Sequence, residues 1–418
     1  MISKAAAARA AALLGAGRVR EATAEERRAA TLVVEPATAA EVAELVKMCE
    51  AERIVLAPLG AARTLREIRR APVPLGISLE RMNRIVAHEP DDLTVTAEAG
   101  ITVGALNAEL AKASQRLPAD PCQPSVTTVG SLIAAAHAGP LRLSEGTARD
   151  LLIGIDFVGH AGRAIHGGGR VVKNVAGYDL MKVMGGSFGT LGIITQAVFK
   201  VRPIPPQYAA AVVPHNRADD AFACAARLLD ALPLSHLEVV SPGFAARFGT
   251  PGQFAVVAGF SGNPAELGYQ AEKLLELASD AGAIFNDDEA AAHYSTLRDL
   301  NFAARPLSAR FAVIPAELRT ALDAIAGDYC AHAGNGVAEV ALDAEQSVDS
   351  ARKIVAEWRE RAHRARGYVG IIAASELTCD ALDFFDSPSD GALKLMLRLK
   401  QAFDPAGIFN PGCFVGGL

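Results

Sequence analysis

Glycines crowd residues 167–192, GGGRVVKNVAGYDLMKVMGGSFGTLG, and the chain then runs straight into IITQAVFKV. Glycine has no Cβ, so a backbone built from it can approach a phosphate or a ring closely and take positive φ without strain. That makes this stretch the tightest constraint on what the chain can fold into. A P-loop needs GxxxxGK[ST], and no such string occurs. Gly186, Gly189 and Gly192 superficially match a Rossmann fingerprint, which must open a helix. The residues after Gly192 alternate instead, with Ile194, Gln196, Val198 and Lys200 against Thr195, Ala197, Phe199 and Val201. Period two means a strand, so no helix N-terminus is available there for a pyrophosphate. Two readings remain: a glycine loop laid against a flat ligand and leading into a strand, or a glycine-rich corner of a sheet.

The flanking sequence supplies further elements. Residues 36–57 read as strand edge, helix and buried strand, with Val42, Leu45, Val46 and Cys49 on one helical face. Thr38 is the expected N-cap and Glu41, three residues on, its capping-box partner. In residues 91–121, Leu93, Val95 and Ala97 alternate with Thr94, Thr96 and Glu98 as in a strand. Thr102 then caps a helix through about Ser114, which Pro118 and Pro121 stop. Residues 150–169 read as a hairpin, in which Ile153, Ile155 and Phe157 alternate, HAGR turns, and 164–166 return. Beyond PIPP (203–206) the character changes to long amphipathic helices at 218–232 and 264–282 with a strand-like run at 254–260, a second α+β domain. A last helix, 394–403, leads into a compact DPAGIFNPG.

A chain of 418 residues, half of them hydrophobic, has room for two or three globular domains. Lys plus Arg number 41 against 47 Asp plus Glu, for a formal charge of −6 with no basic run, which argues against nucleic-acid binding. The six cysteines are scattered without a CxxC, so no iron–sulfur or zinc ligand set is encoded, and free thiols fit a reducing compartment. Arg9 breaks the Ala-rich start, which reads as an N-terminal helix and not as a signal peptide. No stretch approaches the roughly 20 apolar residues that a membrane span needs. The expected location is cytoplasmic, or peripheral on the inner face of the membrane through partners.

Residues 168–206, above all KNVAGYDL followed by GSFGTLGIIT, resemble the FAD-binding fold of the vanillyl-alcohol-oxidase (PCMH-type) superfamily, and more narrowly the E-type FAD-binding subunits of glycolate oxidases. GPLRLSEGTARDLLIGIDFV (139–158) resembles the family's GPxRxxxGxxRDxxLG segment, and FDPAGIFNPG (403–412) its C-terminal signature. The likeness is firm over about residues 30–206 and 393–412 and thin between them. It implies an α+β chain: an N-terminal helical extension (1–29), a two-lobed PCMH-type FAD-binding domain (30–206), an α+β cap for substrate or partner (207–388), and a C-terminal return to the FAD domain (389–418).

The resemblance also implies which residues hold FAD. The pyrophosphate loop is Pro58, Leu59, Gly60, Ala61, Ala62, Arg63 and Thr64, with alanines where relatives carry glycines. A second segment, after Pro121, is Val129, Gly130, Ser131, Leu132, Ile133 and Ala134, with Ser131 in place of a glycine. Gly139, Arg142, Gly146, Arg149 and Asp150 map to the flavin side, although Arg149 and Asp150 also suit a plain surface ion pair. Asn174, Gly177, Gly189, Thr190, Gly192 and Ile193 run past the isoalloxazine and adenine, and Asn410 and Gly412 return toward the flavin. The FAD is expected to be non-covalent, because the loop has no His; Cys122 and His137, which flank the second segment, are the positions a bond would use.

A flavin oxidising a 2-hydroxy acid needs a base for the hydroxyl proton and a cation for the carboxylate. Catalytic D-type relatives gather histidines round a metal. The nine histidines here form no HxH or HxxxH, and no metal is expected. The remaining candidates are Arg305, Arg310 and His332, the last in CAHAGNGVAEV where those relatives have a GNxH-type string. The leading expectation is an FAD-binding subunit of a heteromeric glycolate-oxidase-type dehydrogenase, with a D-type FAD subunit and an iron–sulfur F-type subunit as partners and a small 2-hydroxy acid as substrate. The alternatives are a self-sufficient FAD dehydrogenase of another small hydroxy acid or alcohol, and a non-catalytic scaffold with a degenerate FAD site.

Overall fold

The computed structural model describes residues 4–60, 71–169, 178–278 and 282–418. The chain forms two compact units, one of residues 1–138, 147–203 and 387–418, the other of residues 139–146 and 204–386. The sequence boundaries expected at 206/207 and 388/389 compare with 203/204 and 386/387 in the structure. The first 29 residues group with the first unit, and residues 139–146 group with the second although the resemblance counts them in the FAD-binding domain.

Among its described residues the first unit carries two main sheets and a separate strand pair. In the smaller, β1 (Val19–Glu21) pairs antiparallel with β2 (Ala30–Val34), while β2, β4 (Val73–Ser78) and β3 (Leu56–Leu59) run parallel. A parallel pair needs a crossover, and between β2 and β3 it is α2 (Ala39–Glu52), which follows α1 (Lys4–Leu14) in the chain. Thr38 caps α2 by accepting the Glu41 N–H, and Val42, Leu45, Val46 and Cys49 are its buried face. The Glu41 carboxylate reaches back to the cap: it accepts from the Ala37 N–H at 2.7 Å, pairs with Arg18 at 2.7 Å, and is held below the usual carboxylate range by Arg18 and by the Ala37 and Thr38 backbone.

The larger sheet is antiparallel, in the order β5 (Ile85–Glu89), β6 (Thr94–Glu98), β10 (Ile193–Lys200), β8 (Leu152–Val158), β9 (Ala164–Gly168). The glycine-rich stretch therefore does lead into a strand, and a central one. The β8–β9 hairpin forms with Ile155 opposite Gly167 and Phe157 opposite Ile165. β6 departs from its alternating sequence, because Thr94, Thr96 and Glu98 are buried as well as Val95 and Ala97. Glu98 is satisfied there by the Arg84 N–H at 2.9 Å and the Arg84 guanidinium at 2.8 Å. After β6, Thr102 caps α3 (Val103–Leu110), a 3-10 turn continues it through Ala113, and the short strands β7 (Gln115–Arg116) and β11 (Arg202–Pro203) pair with each other. Phe157, Phe199, Phe409, Leu45 and Leu56 share one core. Burying each such side chain is worth about 1.5–3 kcal/mol.

The second unit is built on eight antiparallel strands in the order β15 (Ala283–Asn286), β12 (Gln207–His215), β14 (Phe254–Gly262), β13 (His236–Val240), β17 (Asp328–His332), β18 (Val337–Leu342), β16 (Leu307–Ala312), β19 (Tyr368–Ala374). Around it lie α5 (Ala218–Ala231), α6 (Pro264–Leu277), α7 (Asp287–Arg298) and α8 (Val348–Arg364), α4 being the short helix Val129–Ala134 of the first unit. On one face Phe311 meets Trp358 of α8 edge-on at 6.1 Å. On the other, Val240, Val257 and Cys330 pack with Phe244, Phe248, Leu297 and Phe302. The fold class is α+β, as expected. No helix among the described residues is long and apolar enough to cross a membrane.

Candidate functional site

A cleft of about 730 Å³ opens in the first unit, beyond the carboxyl ends of β3 and β4. This is where parallel sheets place ligands, because the chain must leave the sheet there and its turns are free to shape a site. Pro58, Leu59 and Gly60 come from the end of β3, and Leu79 and Glu80 from the end of β4. Ala99 and Gly100 follow β6; Thr128, Gly130, Ser131, Ala134 and Ala135 belong to α4 and its ends; Phe188, Gly189, Gly192 and Ile194 form the bend into β10.

Local chemistry holds each wall. Thr128 caps α4 by accepting the Ser131 N–H at 3.2 Å, so this segment is a helical turn. The Phe188 N–H donates to the Ala134 carbonyl at 2.8 Å, which ties the glycine bend to α4. Gly189 sits at φ +70°, and a Cβ there would lie 2.4 Å from Pro58 Cγ. Gly100 packs under Leu79, whose carbonyl oxygen would lie 1.8 Å from an added Cβ. These close approaches make glycine obligatory at the seams between walls.

The lining residues suit FAD. Glycine, alanine and serine leave main chain at the surface for a diphosphate, and Leu59, Leu79, Phe188 and Ile194 give apolar surface for rings. Glu80 is the one charged residue among the described lining, so a diphosphate here would be met by main-chain N–H groups and the Thr128 and Ser131 hydroxyls. The buried Ser187 Oγ, at the start of the glycine bend, has no partner among the described residues and does not itself line the cleft.

Of the residues expected to hold the cofactor, Pro58, Leu59, Gly60, Gly130, Ser131, Ala134, Gly189 and Gly192 line this cleft. Val129 and Ile133 turn into the core behind α4, Ile193 is buried in β10, and Pro121 is buried ahead of α4. Thr190 is buried, its hydroxyl donating to the Ser187 carbonyl at 2.7 Å. Asn410 is fully buried, and its Nδ2 donates to the Phe188 carbonyl at 2.6 Å. Gly412 is exposed at φ +78°. Arg149 and Asp150 are exposed, and Asp150 accepts from the Thr147 N–H and hydroxyl. Gly139, Arg142 and Gly146 fall in the second unit. Ala61, Ala62, Arg63, Thr64, Asn174 and Gly177 lie outside the described residues. The sequence reading missed Leu79, Glu80, Ala99, Gly100, Thr128, Ala135, Phe188 and Ile194. The available signal was a strand end followed by a small residue, as in Ala99-Gly100, but only the fold brings the ends of β3, β4 and β6 together with α4 and the glycine bend.

The catalytic candidates lie elsewhere, on one sheet face of the second unit. Arg310 on β16 donates from Nε to Glu339 on β18 at 3.0 Å. Both ring nitrogens of His332 on β17 donate, Nε2 to Glu339 at 3.0 Å and Nδ1 to Glu238 on β13 at 3.1 Å. His236 Nδ1 reaches the other Glu238 oxygen at 2.8 Å. Burial by itself would lower the His332 pKa, but Glu339 and Glu238 outweigh it and hold the imidazole up at about 10. Burial would likewise raise Glu339, yet His332 and Arg310 hold it down at about 2. Glu238 is lowered against its own burial by His236 and His332. An imidazole so held is an imidazolium at neutral pH and cannot take a proton. Arg305 pairs with Asp343 and lies 5.4 Å from the Phe244 ring centroid. Among the described residues, no group of three His, Cys, Asp or Glu is placed to hold a metal ion.

Comparison with known proteins adds two domain matches. Residues 30–168 match the FAD binding domain, and residues 384–413 match the C-terminal domain of FAD linked oxidases. The chain is 40% identical to the glycolate oxidase subunit GlcE of Escherichia coli over 122 residues, which is 29% of this chain and 35% of that protein. It is 26% identical to a D-lactate dehydrogenase of Anaerostipes hadrus over 427 residues, covering 91% of this chain and 88% of that one. Among solved structures, p-cresol methylhydroxylase with substrate bound superposes with a TM-score of 0.75 over 98% of this chain and 97% of that chain at 14% identity, a likeness of fold. With its FAD binding domain and its FAD-linked oxidase C-terminal domain, the chain is an FAD-linked oxidoreductase.

Proposed function

We propose that this chain is the FAD-binding subunit of a heteromeric dehydrogenase of the glycolate oxidase type, acting on a small 2-hydroxy acid beside a second FAD subunit and an iron–sulfur subunit. Bound FAD supplies two-electron redox chemistry that no protein side chain offers. The chain's own part is to hold it non-covalently: Gly60, Gly130 and Gly189 bring main chain to the cleft surface, and Leu59, Leu79 and Phe188 keep water from its apolar parts. The observation that carries the subunit reading is His332. A histidine locked between two carboxylates has no capacity left for a substrate's hydroxyl proton, which supports a reading in which a partner supplies the proton acceptor. The likeness to a subunit named as part of glycolate oxidase supports the same reading.

The full-length match to a D-lactate dehydrogenase favours a second reading, a self-sufficient dehydrogenase of a small hydroxy acid. Purified protein tests both. The expected result is a yellow protein that releases all its FAD on acid precipitation and does not oxidise glycolate or D-lactate with an artificial acceptor. Full turnover by the isolated chain refutes the subunit reading, and a chain that takes up no FAD refutes both.

A further inference from the structure

The compact end of the chain does not line the cleft, yet it grips two of its walls. Lys400, near the end of the helix Asp390–Phe403, is largely buried. Its ammonium donates to the Thr190 carbonyl at 2.7 Å, the Phe409 carbonyl at 2.8 Å and Asp404 Oδ2 at 2.6 Å, which uses all three of its protons. Asp404, with no side-chain exposure, accepts from the Ile408 and Phe409 N–H groups at 3.0 and 2.9 Å. Asn410 donates from Nδ2 to Phe188 in the glycine bend. Its own N–H donates to the Leu56 carbonyl at 2.8 Å, while the Leu56 N–H donates to Ile408 at 2.9 Å. Residues 408–410 thus extend the edge of β3. One hand of this knot holds the strand that ends in Pro58-Leu59-Gly60, and the other holds Phe188 and Thr190 on either side of Gly189.

We propose that residues 400–410 are a clamp that fixes the spacing of the two cleft walls, with Lys400 and Asn410 as positioning residues for FAD. The proposal rests on the reading of the cleft as the FAD site. The physical reason is mutual distance. Gly189 already packs against Pro58, so the two walls meet at one seam. The glycine bend is tied to α4 through Phe188 but resists little by itself in its spacing from the end of β3. One charge-assisted donation from the Lys400 ammonium fixes the Thr190 carbonyl, the other two anchor it to Asp404 and the Phe409 carbonyl, and the Asn410 amide fixes the Phe188 carbonyl. By linkage, FAD that requires the closed spacing must also tighten the clamp.

The test measures FAD affinity of apo-protein by fluorescence quenching, beside hydrogen exchange of the full chain. Lys400→Met and Asn410→Ala are expected to weaken FAD binding about tenfold or more, each losing hydrogen bonds of this strength. Lys400→Arg is expected to recover part of the loss, and Lys394→Met, an exposed lysine on the same helix, to change nothing. In the wild-type chain, added FAD is expected to slow exchange at the Ile408, Phe409 and Asn410 amides, which do not line the cleft. Variants that fold and bind FAD within twofold of wild type overturn the clamp. So does unchanged exchange at those amides in FAD-loaded wild type, a readout that does not depend on any variant folding. Wild type that binds no FAD refutes the cleft reading instead.

Discussion

Replacing Glu238 by Gln removes one negative charge from the middle of the buried ionic row and leaves its shape almost unchanged. Glu238 is 1% exposed and holds His236 at 2.8 Å and His332 at 3.1 Å. A neutral amide leaves His332 with one carboxylate where it had two, in a setting that water does not reach. Breaking a buried pair by neutralising one partner costs about 3–5 kcal/mol, because the other charge stays behind uncompensated. For a unit of this size each kcal/mol moves the midpoint by about 2–4 °C, so the variant should unfold about 6–20 °C lower. The pH profile supplies the sign. His332 is raised from 6.5 to about 10, so its stabilisation is complete below pH 6.5 and is lost as pH climbs toward 10. Glu339 is lowered from 4.5 to about 2, so its stabilisation is complete above pH 4.5 and is lost on acidification toward 2. The row is therefore strongest between these limits, and the alkaline loss should be shallower in Glu238→Gln. Thermal unfolding and hydrogen exchange of β13 and β17 in the full-length chain, at pH 6 and pH 9, measure both effects. A cost under about 1 kcal/mol with an unchanged alkaline slope would refute the reasoning.

Two further substitutions probe the site and the core. Gly189→Ala forces a Cβ against Pro58 Cγ in a left-handed conformation that costs other residues about 1–2 kcal/mol, so FAD affinity should fall at least about tenfold by fluorescence titration while the second unit keeps its exchange protection. Trp358→Ala should cost about 3–5 kcal/mol in urea titration. Trp358→Phe should cost much less, because it keeps the contact with Phe311 and removes a buried indole N–H that has no partner among the described residues.

The elements were legible where one period dominated. Val42, Leu45, Val46 and Cys49 gave α2 its buried face, and the alternation after Gly192 gave β10, since helical stripes and strand alternation are local consequences of backbone geometry. Motif likeness located eight of the cleft residues for the same reason: glycine is demanded at close approaches, and such demands survive as strings. The limits are equally physical. Alternation in β6 would put Thr94, Thr96 and Glu98 in water, but the sheet buries both of its faces and Arg84 answers the buried carboxylate. Asp150 beside Arg149 suggested a flavin contact or an ion pair, and the structure adds a local role that the string did not show, accepting from Thr147 at the start of its own helix.

The sequence alone determined the helices and strands of an α+β chain, because hydrophobic period acts over a few residues and leaves its mark there, and its motif likeness implied FAD. Only the tertiary structure decided what Asn410, Lys400 and His332 do. Asn410 was expected beside the cofactor but bonds the backbone of the wall behind it. Lys400 draws together Thr190 and Phe409, which lie far apart in the chain. His332, a candidate base by its string, becomes a fixed cation because β13 and β18 each bring a glutamate to it. A side chain's role depends on charges that arrive from distant strands, and no local pattern records which strands will be neighbours.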